Sequence, residues 1–277
     1  MPVNYVIKGV SYHVDTWGKG FPLLLLHGFT GNGESWKEFE PFWKNHSTAI
    51  ALDIIGHGKT ESPADIAQYG IEESADAINH LLEKMGIEKT DILGYSMGGR
   101  LAITFAIKYP KKVRKLILES SSPGLRTEEE RQARRLQDAK LAEKIRGEGI
   151  SRFIVFWENI PLFKSQKNLP DDIRGGIREQ RLANSIEGLA NSLKGMGTGS
   201  QPSWWGNLSN LESPVLLITG SKDQKFCRIA DEMSKVLPNC HWISVEDAGH
   251  AIHVEKPEKF GTIVSGFLSQ TAEKKYT

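Results

Sequence analysis

Apolar and polar residues follow two rhythms along this chain, and the places where one gives way to the other mark its parts. Val3 to Lys8 and Val10 to Thr16 alternate on either side of Gly9, the period of two half-buried strands joined as a hairpin. Trp17-Gly18-Lys19-Gly20 predicts a turn. Pro22-Leu23-Leu24-Leu25-Leu26-His27 is a continuous apolar run, as expected of a strand covered on both faces. Ser47 to Asp53, Lys89 to Tyr95 and Val113 to Leu118 repeat that pattern. Between these strands, Trp36 to Trp43 is helix-like, and Ile71, Ala75, Ile78, Leu81, Leu82 and Met85 recur at helical spacing. Leu101 to Tyr109 predicts a helix that stops because Pro110 follows. Strands and helices thus alternate from residue 22 to about 118, which predicts a mostly parallel sheet with right-handed crossovers.

The strand rhythm lapses from Ser120 to Gly206. Helical segments replace it at Thr127 to Arg146, Ile150 to Glu158, Pro170 to Ala183 and Ile186 to Leu193, and Thr127 with Glu130 has capping-box spacing. Strand pattern resumes at Pro214 to Thr219, followed by a helix over Arg228 to Leu237, a strand over Cys240 to Val245 and a closing helix over Pro257 to Leu268. A frayed tail is expected over Glu273 to Thr277. The predicted organisation is a core of residues 1–119 and 207–277, with a helical cap of residues 120–206 inserted in it.

Composition narrows the function classes. A chain of 277 residues can bury a large core, and a formal net charge of +1 gives no global field toward nucleic acid or an anionic membrane. The start, Met1-Pro2-Val3-Asn4-Tyr5, has no basic and apolar leader pattern, and the longest apolar run, Phe21 to Leu26, is too short to span a bilayer. Cys227 and Cys240 make no disulfide framework and have no metal-ligand spacing. The expectation is a cytoplasmic protein, monomer or dimer, that acts on a small molecule without nucleic acid, membrane insertion, metal or organic cofactor.

The chemistry concentrates where strands end. Gly94-Tyr95-Ser96-Met97-Gly98 lies between an apolar strand and a helix, the setting of a nucleophile elbow. Such a turn puts the serine at a strained apex and requires small neighbours two residues away on either side. The helix beginning at Met97 aims its free N–H groups at charge developing beside the serine. Ser96, Asp223 and His250 occur in the order Ser…Asp…His, each just after a predicted strand. A serine hydroxyl is nearly inert at neutral pH until an imidazole can take its proton, and a carboxylate fixes that imidazole's tautomer. Of the other histidines, His253 is the nearest rival to His250; Glu246 and Asp247 are too close in sequence to His250 to replace Asp223 comfortably. The loop His27-Gly28-Phe29-Thr30-Gly31-Asn32-Gly33 either supplies the Phe29 amide to an oxyanion hole with that of Met97, or is a flexible loop. Arg100 stands four residues after Ser96, in the first turn of a helix whose dipole it opposes. It is either a carboxylate clamp or part of a surface salt bridge. With Arg134 and Arg181 of the cap it could present several positive charges to a polyanion; Trp157, Trp204 and Trp205 either line the pocket or only pack.

Several stretches together resemble the 2-succinyl-6-hydroxy-2,4-cyclohexadiene-1-carboxylate synthases (MenH) of menaquinone biosynthesis, enzymes of the α/β-hydrolase superfamily. They are Leu26-His27-Gly28-Phe29-Thr30-Gly31, Gly94 to Arg100, Pro123-Gly124-Leu125, Arg131-x-x-Arg134, Asp138, Trp157, Pro161-x-Phe163, Arg181, Gly220-x-x-Asp223-x-Lys225-Phe226 and Ala248-Gly249-His250. The elbow and histidine loop are superfamily features; Arg100, the Pro-Gly-Leu with its arginines, and Lys225-Phe226 are more specific. Some relatives read Gly-Gly-His where this chain has Ser120-Ser121-Ser122. The resemblance implies an α/β-hydrolase fold with an inserted cap and a cofactor-independent lyase. Its substrate would be the tricarboxylate 2-succinyl-5-enolpyruvyl-6-hydroxy-3-cyclohexene-1-carboxylate, from which pyruvate is eliminated. Ser96, activated by His250 and Asp223, would act as base, Phe29 and Met97 would hold an enolate-like oxygen, Arg100, Arg134 and Arg181 would bind carboxylates, and Tyr95 and Trp157 would shape the pocket. A serine carboxylesterase or carbon–carbon-bond hydrolase working through an acyl-serine is the alternative, and a binding protein without turnover a more distant one.

Overall fold

The structure, a computed structural model, describes residues 2–270. The expected frayed tail lies outside the described residues. Eight strands form one sheet in the order β1-β2-β4-β3-β5-β6-β7-β8. They are β1 (Pro2–Ile7), β2 (Val10–Gly18), β3 (Phe21–Leu26), β4 (Ser47–Leu52), β5 (Thr90–Tyr95), β6 (Val113–Glu119), β7 (Val215–Gly220) and β8 (Cys240–Val245). β2 is antiparallel to both β1 and β4 at one edge, and β3 to β8 run parallel to one another. The fold is the mostly parallel α/β sheet that the alternating pattern predicts. The continuous apolar runs are explained by position: Leu23 to Leu26 of β3 are wholly buried in the middle of the sheet. Even side chains such as Leu24 and Leu26 face one core layer, and Leu23 and Leu25 the other.

Nine helices complete the described chain: α1 (Glu40–Trp43), α2 (Ile71–Lys84), α3 (Met97–Lys108), α4 (Glu128–Glu158), α5 (Asp171–Leu182), α6 (Ile186–Met196), α7 (Gln224–Ser234), α8 (Ile252–Glu255) and α9 (Pro257–Ser269). α2 and α3 pack with the layer that holds Leu24, and α9 with the layer that holds Leu23. Between β6 and β7 no strand forms; α4, α5 and α6 lie there. α4 and α6 enclose their own apolar cluster of Ala142, Ile145, Phe153, Ile154, Leu189, Ala190 and Leu193. The capping box at Thr127 forms, with Glu130 N–H donating to Thr127 Oγ1 and Glu130 Oε2 accepting from Thr127 N–H. The helix breaks at Gly149, whose φ of 77° is left-handed, so residues before and after it run as separate segments.

Three boundaries differ from the pattern. β2 continues through the predicted turn to Gly18, because β2 also pairs with β4. Gly18 is required there: a Cβ would lie 2.4 Å from the Ser47 carbonyl oxygen. The helix-like stretch after Gly33 is mostly 3₁₀ (Gly33–Phe39), and only the part from Glu40, with Pro41 in its first turn, is α. α7 begins four residues earlier than Arg228, because Asp223 caps it, its Oδ1 accepting from Phe226 N–H at 3.3 Å.

Candidate active site

β5 runs into α3 with only Ser96 between them. Ser96 holds φ 50° and ψ −104°, outside the regions a serine ordinarily occupies. The glycines that flank it are a steric necessity. A Cβ on Gly94 would lie 2.4 Å from the Gly98 carbonyl oxygen, and one on Gly98 only 2.3 Å from that of Leu26. The turn is pinned by the next strand, since Ser96 N–H donates to the Glu119 carbonyl at 2.9 Å. Met97, as the first helical residue, has an amide with no acceptor inside its own helix. The Phe29 amide takes part in none of the loop's own backbone hydrogen bonds, of which Gly31 N–H to Gly28 O is one, at 3.0 Å.

His250 brings the chemistry together. Its Nδ1–H donates to Asp223 Oδ2 at 2.7 Å, and its Nε2 lies 3.0 Å from Ser96 Oγ, placed to accept the hydroxyl proton. The ring is buried between Phe226 and Tyr95, with centroids at 4.7 and 5.4 Å. The rival groups are engaged elsewhere. His253 Nδ1 meets both carboxylate oxygens of buried Glu119 at 2.9 Å, and Asp247 pairs with Lys222 at 3.1 Å. His27 is neutral and fixed: its Nδ1–H donates to Gly28 O, its Nε2 accepts from Ile54 N–H, and burial pulls its pKa down to about 4.

A cavity of about 330 Å³ opens over this serine, within the range of small-molecule sites. Phe29, Tyr95, Met97, Arg100, Arg134, Trp157 and His250 line it, as do Ser122, Lys225 and Trp205. Arg134 is tied to Asp138 at 2.7 Å. Arg126, also in the lining, is tied to Glu232 at 2.5 Å and stacks on Trp205. Arg100 has no carboxylate partner among the described residues. It is 9% exposed, Nη1 donates to the amide oxygen of Gln201 at 2.8 Å, and burial, with Arg134 nearby and against the pull of the Asp138 carboxylate, lowers its pKa to about 10. A surface salt bridge therefore does not describe Arg100. Trp157 stacks beside Phe153 and edge-on to Phe29, with its indole N–H buried and unpartnered. Trp204 instead donates to Thr104 Oγ1 at 2.9 Å.

Arg181 is not brought to this cavity. Its guanidinium faces the ring of Phe163, which lines both cavities, at 5.0 Å, with Glu158 at 3.8 Å. It lines a neighbouring cavity that also reaches Tyr95 and His253. Tyr95 borders both, and burial keeps its phenol protonated far above the usual range.

Comparison with known proteins accords with this geometry. A family model described as the alpha/beta hydrolase fold matches residues 22–257. A Bacillus subtilis (strain 168) protein, provisionally named 2-succinyl-6-hydroxy-2,4-cyclohexadiene-1-carboxylate synthase, is 45% identical over 96% of this chain and 98% of its own length. The chain belongs to the α/β-hydrolase family, in this synthase group. The synthase of Enterobacter sp. (strain 638) is 32% identical, over 90% of this chain and 92% of its own. The solved structure of MenH from S. aureus superposes with a TM-score of 0.88 at 34% identity, covering 92% of this chain and 97% of that one. A malate-bound thermophilic esterase from Thermogutta terrifontis follows at 0.84 and 26%, covering 97% and 98%. This chain is an enzyme on the hydrolase scaffold.

Two parts of the site gave no signal in the sequence. Gln201, wholly buried, is the partner of Arg100 yet sits in an irregular stretch without periodicity. Glu119 ends β6 as an apparent strand residue, and only the fold reveals that it holds the Ser96 amide with its carbonyl and His253 with its carboxylate. Ser122, the last of the three serines before Pro123-Gly124-Leu125, lines the cavity.

Proposed function

We propose that this enzyme is a 2-succinyl-6-hydroxy-2,4-cyclohexadiene-1-carboxylate synthase of menaquinone biosynthesis, eliminating pyruvate from the enolpyruvyl tricarboxylate. The observation that carries the reading is Arg100: a buried guanidinium without a carboxylate partner, one helical turn from Ser96, in the same cavity. Burying a charge unpaired is costly, so the site suits a ligand that brings the counter-charge. Lys225 in the same lining adds to that preference, while Arg134 and Arg126 are held by Asp138 and Glu232.

The triad geometry supports base catalysis. Ser96 passes its proton to His250 Nε2, and Asp223 stabilises the resulting imidazolium through Nδ1–H. The serine oxygen takes the ring proton of the substrate, the electron pair forms the new ring double bond, and the C–O bond to the enolpyruvyl group breaks. The departing enolate takes up a proton at carbon and leaves as pyruvate, so no proton is gained or lost overall. The amides of Phe29 and Met97 are the candidate donors to the enolate-like oxygen that develops on the way. Tyr95 and Trp157 shape the pocket. Arg181 would serve a carboxylate only if that group reached past Phe163. Residues 120–206 form the cap over the site, and a cytoplasmic enzyme fits this role; no described helix is long and apolar enough to cross a membrane.

The same triad would also support ester hydrolysis through an acyl-serine, and the likeness to the Thermogutta esterase favours that as the second reading. Mixing the enzyme with the enolpyruvyl substrate, while a panel of nitrophenyl esters is run in parallel, separates them. Pyruvate release with slow ester turnover supports the lyase; rapid ester turnover without pyruvate overturns it.

A further inference from the structure

The arginines around the site differ in what holds them. Arg126, Arg134 and Arg181 each have a carboxylate, from Glu232, Asp138 and Glu158. Arg100, buried in the cavity over the serine, has instead the side-chain amide of Gln201. An arginine side chain has only donors, so the amide must turn its oxygen to Arg100 and its NH2 away. That NH2 is buried and finds no acceptor among the described residues. It is packed against Gly124, where a Cβ would lie 3.0 Å from it. A buried donor without a partner carries a cost of about 1–3 kcal/mol. A glutamate of the same shape would remove the orphan donor and pair with the guanidinium. On local stability alone, glutamine is the poorer residue. What it preserves is the positive charge.

We propose that Gln201 is a positioning residue that fixes the Arg100 guanidinium while leaving its charge unneutralised, reserving it for a carboxylate of the substrate. This rests on the proposed function and adds a specificity determinant to it. Gln201 is rigidly presented: its own N–H donates to Gly197 O at 3.1 Å, and Trp204 N–H, just beyond it, donates to Pro123 O at 2.8 Å. Gly197 has no room for a side chain, since a Cβ would meet Leu193 O at 2.2 Å.

The test compares Gln201→Glu with Gln201→Met. The first keeps shape and hydrogen bond but neutralises Arg100; the second loses the hydrogen bond but keeps the charge free. Charge reservation predicts that Gln201→Glu raises KM for the tricarboxylate by about 30-fold or more, with kcat within about threefold and an unchanged or higher Tm. Gln201→Met then has the lower Tm but the smaller rise in KM. A purely structural glutamine predicts the reverse order, with Gln201→Met the worse enzyme. A Gln201→Glu protein with near-wild-type KM, or one that fails to fold, overturns the proposal. If wild-type enzyme releases no pyruvate, the lyase reading fails separately, and calorimetric titration with tricarballylate decides this one. Binding by wild type that weakens tenfold or more in Gln201→Glu supports it; no binding, or equal binding, overturns it.

Discussion

Replacing Arg100 with methionine separates a functional guanidinium from a structural one. In the free enzyme this group is a burden. Its pKa falls from the usual guanidinium value to about 10, chiefly through burial, which corresponds to about 3 kcal/mol of penalty on the charged form. Because the folded value lies below the unfolded one, that penalty is present in full at neutral pH and lifts only as pH rises through about 10 toward the unfolded value. Methionine removes the charge and fills a similar volume, but it leaves the Gln201 amide oxygen without its donor, a loss of about 1–3 kcal/mol. The balance favours the variant by about 0–2 kcal/mol. For a chain of this size Tm should stay level or rise by up to about 6 °C. Activity should move the other way. A lost charged contact to a substrate carboxylate is worth about 2–4 kcal/mol, so kcat/KM for pyruvate release should fall about 30- to 1000-fold. Thermal unfolding at pH 7 and a lactate dehydrogenase-coupled pyruvate assay read the two sides. A Tm lower by more than about 5 °C, with kcat/KM nearly intact, would show that Arg100 serves the fold and not the substrate.

Three further outcomes are expected. Gly98→Ala should lower stability by about 3 kcal/mol or more, because its Cβ would press into the backbone oxygens of Leu26 and His27 at 2.3 and 2.5 Å; a Tm within about 2 °C of wild type would contradict this. Glu119→Ala should lower stability by about 3–5 kcal/mol, since it strips both His253 N–H and Nδ1 of their acceptor, whereas Glu119→Gln retains an acceptor and should lose less; equal losses in urea unfolding would argue against the pair. His27 and His57 are held neutral by burial, with pKa values of about 4 and about 3. Below about pH 6.5 the unfolded chain takes up protons that the folded one refuses, so each should reduce stability by about 2 kcal/mol between pH 7 and pH 5. His57→Asn should show a correspondingly shallower decline, and an identical decline would sink the assignment.

What the sequence made legible was whatever depends on local pattern. Leu23 to Leu26 read as a doubly covered strand because the run has no polar break, and the elbow read as one because Gly94 and Gly98 are spaced around Ser96 as the turn requires. The order Ser96, Asp223, His250 was visible, and the three side chains meet. Tertiary effects were not legible. Gly18 looked like a turn residue but extends β2, because pairing to β4 overrides local preference. Asp223 reads as the acid from its place after a strand, but nothing in the pattern shows that one of its oxygens also caps α7. Arg181 has the right chemistry for a carboxylate, yet its guanidinium faces Phe163 and lines the neighbouring cavity, a placement that only the fold reveals. Gln201 shows the limit most plainly: a glutamine acquires its meaning only from the guanidinium beside it, 101 residues away.

On this mechanism Ser96 removes a proton rather than attacking a carbonyl, in a cavity where the buried Arg100 selects an acid-rich substrate. Measuring pyruvate, diene absorbance and the intact mass of the protein during turnover of the enolpyruvyl tricarboxylate tests it in one experiment. Pyruvate and diene appearing one-to-one, with the protein mass unchanged and both signals abolished in Ser96→Ala, is the predicted result. A substrate-derived adduct on Ser96, or consumption of the substrate without pyruvate, would contradict it.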